Sequence, residues 1–480
     1  MGPYRPEWES LAAHSIPQWF RDATFGIYFH WGPYAVPAYA NEWYSRNMYV
    51  EGTDAYEHHE KEWGPRDEFG YKDFIPMFEA EEFDASAWAD FCKDVGAEFV
   101  GITATHADGF LMWDSDVSEW NAAEMGPKRD VVGELAEAVR ERDMKFVTSF
   151  HHDFHWWWYP HVDGWDTADP EYAGLYGEAH DKDEDPPESF FEDWQAKVME
   201  VIDAYRPDLI YFDSGIGNDW FINHFDEYRR ELVAYYYNRA EEWGKEVDFT
   251  HKQEVPLGVG IVDHERTREE DVSMQPWLTD TPLDRNSWGY VENSDYRSVD
   301  TVVTGLVDRV SKNGATMVNV GPKADGTLPK QATSRLEKIG DWLERNGEAV
   351  YGANPWWTFG EGPTDISSTE FDEASTVEYT SEDIRFTRTD EAAYALLLKW
   401  PEDSEVTIET PFGRWTSSVA GEWPIGPAPD PWPEDRYEVE LVGADESLTW
   451  GGGEDGVRIE LPENPPCEFA YAIRIKPSNN

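Results

Sequence analysis

Short apolar runs and amphipathic stretches alternate along the first part of the chain. Phe25–Tyr34 reads as a strand running into a Gly-Pro turn, and Phe99–Thr103, Lys145–Ser149 and Leu209–Phe212 read as further buried strands. Others are expected near Val247–His251, at Val272–Gln275 and at Ala315–Val320. Runs this short, apolar on both faces and bounded by turns, suit a parallel sheet covered by helices. Between them, Phe83–Val95 sets Phe83, Ala87, Trp88, Phe91 and Val95 on one helical face. Ser189–Tyr205 repeats the spacing with Phe191, Trp194, Val198, Val201, Ile202 and Tyr205. Val132–Asp143 and a segment through Tyr235–Trp243 are read as helices too. Ser298 is a good N-cap for a helix packing Val302, Val303, Leu306 and Val310, with Gly314 expected at its C′ position. Seven to eight such units over roughly 350 residues predict a (β/α)8-like barrel.

Near Tyr351 the period changes. From Asp383 onward, segments such as IRFTRT, EVTIET, RYEVELV and AYAIRIK alternate apolar and polar positions between Gly-, Pro- and Asp-rich turns. That pattern predicts a C-terminal antiparallel β-sandwich. The chain therefore divides into a catalytic barrel at residues 1–352 and a sandwich domain at 353–480. The acidic stretch Ala168–Glu188 reads as a surface loop.

Polar residues gather where the barrel runs end: His30, His106, His151, Asp213, His251, Gln275 and Asn319. In such folds the C-terminal strand ends carry the active site. Asp213 closes AYRPDLIYFDSG, in which Pro207 stops a helix and Leu209–Phe212 makes the strand. Followed by Ser214 and Gly215, it either faces the barrel mouth or caps the next helix. Glu42 and Trp43 suit a sugar, because a carboxylate accepts hydroxyl hydrogen bonds and an indole stacks on C–H groups; a surface loop with one buried Trp is the plainer reading. His151, His152, Asp153 and His155 offer metal-ligand atoms, but neighbours on a strand point to opposite faces and the spacing matches no zinc signature. No metal and no cofactor are expected.

Composition narrows the partners. With 98 acidic against 39 basic side chains the formal charge is −59, and the 25 Trp argue against disorder. Phosphate would be repelled, which excludes nucleic acid and anionic membranes as partners. The acid excess runs along the whole chain, and in molar salt the Debye length of about 3 Å screens it. These features imply a halophile's protein. Two cysteines, Cys92 and Cys467, build no disulfide framework. MGPYRPEWES lacks the regions of a signal peptide, and no 18-residue apolar run follows, so a soluble cytoplasmic location is expected. A homo-oligomer is compatible with the sequence.

Several blocks are recognisable. FGIYFHWGPYAVPAYANEWYSRNMY, ITATHADGF, AYRPDLIYFDSG, VDRVSKNGATMVNVGPKADGTLP and VYGANPW resemble, in order, the signatures of the α-L-fucosidases of glycoside hydrolase family 29. The resemblance covers essentially the whole chain. It implies a barrel plus sandwich and metal-free retaining hydrolysis of terminal α-L-fucose from fucosylated glycans or glycosides. Carried over position by position, it makes Asp213 the nucleophile, and His30, Glu42, Trp43 and His106 contacts to the sugar. Tyr211 stands where members often carry a tryptophan, and Phe150 where many have a tyrosine near the reacting centre. Lys252 falls at the family's basic position near the sugar. Ala107 replaces the second histidine of the family's HHDGF motif and Thr105 precedes it, so His151 or His152 is a candidate substitute contact. For the acid/base residue, VDHERTREED offers Glu265, Glu269 and Glu270; Glu265, in a context resembling the family's DYERG segment, is the choice. Two other classes compete: a metal-dependent barrel hydrolase using His106, His151, His152 and Asp213, and a non-catalytic carbohydrate-binding homologue.

Overall fold

Eight parallel strands wrap into a barrel in the computed structural model, which describes residues 2–213, 219–252, 255–364, 377–409, 437–444, 447–453 and 456–477, without the side chains of 219–222 and 477. Ser214 and Gly215, beside Asp213, lie outside the described residues. The strands are β1 (Phe25–Phe29), β2 (Phe99–Thr105), β3 (Lys145–Phe150), β4 (Leu209–Phe212), β5 (Asp248–His251), β6 (Ile261–Val262), β7 (Trp277–Pro282) and β8 (Gly314–Val320). They are hydrogen-bonded in the order β6-β5-β4-β3-β2-β1-β8-β7. A parallel bridge between Asp263 and Leu278 joins β6 to β7 and completes the ring.

Strand alternation sorts the side chains. Phe99, Val147, Leu209, Ile261, Leu278 and Met317 fill the barrel interior. The other face of each strand meets the surrounding helices, among them Ala85–Asp94, Val131–Arg140, Glu188–Tyr205 and Val299–Ser311. Three of these helices start on side-chain caps: Asp84 accepts from the Ala87 N–H, Asp130 from Gly133 and Ser298 from Thr301. Behind the barrel, a five-stranded and a three-stranded antiparallel sheet bury Phe386, Leu397, Ile408, Ile459 and Ile473 in a common core. The first of these strands spans Asn354–Glu361. Asp308, fully buried on the Val299–Ser311 helix, ties the sandwich to the barrel by accepting from Arg385 Nε at 2.6 Å and Lys312 Nζ at 3.0 Å. Among the described residues, no helix is long and apolar enough to cross a membrane.

Three local expectations are corrected. Val272–Gln275 is not a strand: Met274 is 71 % exposed, and the chain pairs only from Trp277 onward. Gln275 therefore precedes β7, at the end of the barrel opposite the mouth. The helix before β8 is closed by Asn313 at φ +73°, not by Gly314. Gly314 serves another purpose, since a Cβ there would stand 2.5 Å from the Trp277 indole. His251 is on the outward side of β5, its ring 6.1 Å from Phe249, while Lys252 beyond it turns inward.

Asp248, at the base of β5, carries a pH liability. Its Oδ1 accepts from Tyr237 OH at 2.7 Å and from the Phe249 N–H at 2.9 Å. Burial nevertheless pushes the carboxyl up to about 7. A carboxyl raised in the fold is stabilising while protonated, so that contribution is lost as pH climbs from about 4 to about 7. Asp248→Asn removes the ionisation. Its stability relative to the natural protein should therefore rise by roughly 2–4 kcal/mol across that window and then level off, read by urea unfolding at pH 4.5, 6 and 8. Parallel pH dependences in the two proteins would refute this.

Candidate active site

The mouth of the barrel is built by strand parity. Residues two apart share a face, so Tyr28 with His30, Ser149 with His151, Tyr211 with Asp213, and Asp263 with Glu265 all project inward. Tyr28 OH, deep in the interior, contacts Thr103 Oγ1 at 2.9 Å, Ser149 Oγ at 2.6 Å and His151 Nε2 at 3.0 Å. On its other nitrogen, His151 holds Asp213: Nδ1 lies 2.9 Å from Oδ2. The imidazole therefore joins the hydroxyl cluster beneath to the carboxylate above.

Lys252 supplies the charge at the centre. Its ammonium is 3.6 Å from Asp213 Oδ1, 2.9 Å from Glu265 Oε2, 2.5 Å from Asp263 Oδ2 and 2.8 Å from Tyr211 OH. Tyr211 OH in turn reaches Asp263 Oδ2 at 3.0 Å and Asp280 Oδ2 at 2.8 Å. Exposure separates the four carboxyls. The side chains of Asp213 and Glu265 keep 29 % and 22 % of their surface, Asp263 keeps none, and Asp280 is 3 % exposed. Only Asp213 and Glu265 can meet a ligand.

Their proton affinities diverge. Burial pushes Asp213 upward, but the Lys252 ammonium and the His151 hydrogen bond together outweigh it and hold the carboxyl well below the usual range. For Glu265, burial and the neighbouring charge of Asp213 prevail over Lys252, and its carboxyl is raised. One member of the pair is thus held as carboxylate and the other is biased toward the acid.

Around this pair stand rings. The imidazole centroids of His30, His106 and His151 form a triangle with sides of 5.0, 5.0 and 5.1 Å. Burial and the neighbouring imidazoles keep His30 and His106 neutral, well below the usual histidine range. Both nitrogens of His30 and Nδ1 of His106 lack a hydrogen-bond partner among the described residues, so they are available to hydroxyl groups. Trp158 packs 5.1 Å from His106 and 4.6 Å from Trp43, which also meets Phe154. Glu42 Oε2 accepts from the Trp288 N–H at 2.9 Å, and the Trp288 ring lies 6.1 Å from His30.

The structure brings Asp213, Glu265, His30, His106 and Lys252 together, with Glu42 and Trp43 in the adjoining wall. Three sequence expectations change. Phe150 faces the helix layer, 6.0 Å from Phe212 and 6.4 Å from Trp113, because residues 149 and 151 own the inward face. Tyr211 is inward but sits beneath Asp213, its hydroxyl spent on buried carboxyls. His151 reaches the site with both nitrogens engaged inside the protein, so it orients Asp213 and leaves no atom to replace the histidine absent at Ala107. His152 points outward and packs 6.0 Å from the Trp194 ring. Of the four ligands the metal alternative would use, His152 points away and both nitrogens of His151 are engaged within the protein; among the described residues no group of three or more His, Cys, Asp or Glu stands ready to hold an ion. Asp263 and Asp280 escaped notice in the sequence. The signal for the first was its spacing of two from Glu265.

Fold and site together define the class, a glycoside hydrolase: an open barrel mouth with two accessible carboxyls of opposite proton preference among neutral imidazoles and indoles. The family model described as Alpha-L-fucosidase matches residues 1–348, and that of the Alpha-L-fucosidase C-terminal domain matches 377–476. The tissue α-L-fucosidases of Bos taurus and Rattus norvegicus are each 30 % identical to this chain; the matches cover 98 % and 99 % of it and 91 % and 93 % of those enzymes. The Thermotoga maritima α-fucosidase, solved with a mechanism-based inhibitor, superposes with a TM-score of 0.76 at 27 % identity, covering 98 % of this chain and 100 % of that one. Its complex with fucose gives 0.75 at 28 % identity, covering 98 % and 99 %. The chain belongs to the α-L-fucosidase family.

Proposed function

We propose that the protein is a retaining exo-α-L-fucosidase, with Asp213 as nucleophile and Glu265 as acid/base. The observation that carries the reading is the Lys252 ammonium set between these two accessible carboxyls. Their facing oxygens are separated by no more than the sum of the two Lys252 contacts, a span compatible with the roughly 5–5.5 Å of a retaining pair. In the first step an Asp213 oxygen bonds to the anomeric carbon, the glycosidic C–O bond breaks, and the Glu265 proton passes to the departing oxygen. In the second, Glu265 takes a proton from water, whose oxygen displaces Asp213 and releases fucose. Glu265 is preferred to its neighbours on placement: Glu269 pairs with His264 Nε2 at 2.9 Å, and Glu270 is exposed.

The sugar reading follows from the walls. The free nitrogens of His30 and His106, with Glu42, suit hydroxyl groups, and the half-buried indole of Trp43, backed by the buried Trp158, suits C–H faces and the C6 methyl of fucose. The names of the relatives, and the fucose bound to the Thermotoga maritima enzyme, point to the same substrate. The stereochemical course tests the mechanism: proton NMR of an aryl α-L-fucoside digest should show α-fucose as the first product. First appearance of the β-anomer would remove Asp213 from its role.

The salt environment belongs to the same reading. A formal charge of −59 favours a halophilic source. Screening of like charges should raise the unfolding midpoint steadily between 0.1 M and 3 M KCl. A flat or falling midpoint would refute a halophilic origin.

A further inference from the structure

Beneath the accessible pair lies a second pair of carboxyls, Asp263 and Asp280, that touches no substrate. Proton counting assigns their charges. Tyr211 has one phenolic proton, yet its oxygen lies within hydrogen-bond distance of both Asp263 Oδ2 and Asp280 Oδ2. One of those contacts needs a proton supplied by a carboxyl. Asp263 is also in contact with the Lys252 ammonium at 2.5 Å, which favours its anion. Asp280 has no cation in contact among the described residues; burial, and then the neighbouring charge of Asp263, raise it well above the usual carboxyl range. Its proton is therefore directed to the Tyr211 oxygen, and the Tyr211 proton to Asp263. Two interacting carboxyls sharing one proton is the expected state of such a dyad.

We propose that ionised Asp263 is a positioning residue that anchors Lys252 between Asp213 and Glu265 and, as a buried negative charge, keeps the proton on Glu265, while Asp280 remains its neutral partner. The inference rests on Glu265 being the acid/base. Among the described residues, Glu265 is faced by Lys252 from the end of β5, by Asp213 and Tyr211 from β4, by Asp280 from β7, and by Asp263 two residues before it. The flanking His264 is paired with Glu269, and Arg266 turns to the Arg285 carbonyl at 3.4 Å. Of these, Asp263 is the negative charge that neither reacts nor leaves during turnover.

The sign is fixed. Asp263→Asn deletes a negative neighbour of Glu265 and releases Lys252 toward it, so Glu265 should lose its proton at lower pH. The alkaline limb of kcat/KM should then move down by about one pH unit, the usual effect of a close charge. At pH values above the natural limb the rate on a fucoside with a basic phenol should fall about tenfold, the equivalent of one unit, while a dinitrophenyl fucoside, which needs no proton, should keep its rate. Asp280→Asn replaces a neutral group by a neutral group and should leave the limb in place. An infrared difference spectrum, natural protein minus D280N at neutral pH, should show one protonated-carboxyl band.

An unmoved limb in D263N, equal loss on both substrates, or equal displacement in D280N would overturn the proposal. Should D263N fail to fold, D280N still decides: a displaced limb or a missing infrared band refutes it, and a fixed limb with the band supports it. Glu265→Gln separates the two layers. If that variant slows only the basic-phenol substrate while D263N is silent, this inference fails alone. If it is indifferent to the leaving group, the acid/base assignment falls and the inference with it.

Discussion

Asp213→Gly should lower kcat on aryl α-L-fucosides by about four to six orders of magnitude, the scale on which removal of a nucleophile acts in a covalent mechanism. In the proposed mechanism this carboxylate is the group that bonds to carbon, and no rearrangement of the other three would replace it: Asp263 and Asp280 are buried, and Glu265 would serve the opposite face of the bond. Deleting the side chain leaves a space beside a cation, since Lys252 stays anchored by Asp263 and Glu265. Azide, a small anion, should enter that space and restore turnover. It attacks from the side Asp213 vacated, and the product should be β-L-fucosyl azide, identified by NMR. The fold should survive, because the change removes a half-buried anion together with its hydrogen bond to His151 and leaves the other ion pairs of Lys252 intact. Activity that persists without azide would end the nucleophile assignment.

How much of this was legible varies residue by residue. β1 to β4 and β8 are runs of four to seven residues with apolar character on both faces, so the sequence marks them well, and β5, DFTH, follows the apolar Val247. β6 is two residues long and β7, WLTDTP, carries an inward Asp280, so neither rises above its loops. Parity, which in the sequence separates His151 from His152, also places Phe150: Ser149 and His151 claim the inward face, which alone sends Phe150 outward. The same rule separates His251 from Lys252. Asp213 and the imidazoles were visible as polar residues ending apolar runs. Asp263 and Asp280 were not, because 98 acidic residues hide two that are buried. Asn313 takes the left-handed turn because asparagine tolerates positive φ, while Gly314 answers to the indole across the sheet. Only three-dimensional neighbours tell those two needs apart.

Lys252→Met, which keeps the stem and deletes the ammonium, should be the most pH-sensitive variant in the molecule. In the natural protein Asp213 is held below its ordinary range, so its contribution to stability is present above about pH 4 and lost as pH falls through the depressed value. Without Lys252 the balance reverses. Burial, already pushing upward on Asp213, Glu265 and Asp280, loses the ammonium that opposes it in all three, and the remaining carboxylates repel one another. Removing one partner of a buried ion pair costs about 3–5 kcal/mol. Here protonation can relieve that cost, so the loss should be full near pH 8 and shrink toward pH 5. Catalysis should follow the same direction. As the proposed nucleophile Asp213 would have to be ionised to attack, so the acid limb of kcat/KM should move upward, and kcat should fall by about 10²–10³, as for other preorganised electrostatic partners. Melting curves at pH 5 and 8 in 3 M KCl, which screens the surface but not the interior, would isolate the buried term. A Tm difference that is equal at both values would mean that Lys252 acts through packing alone, and that the carboxyl pair does not depend on its charge.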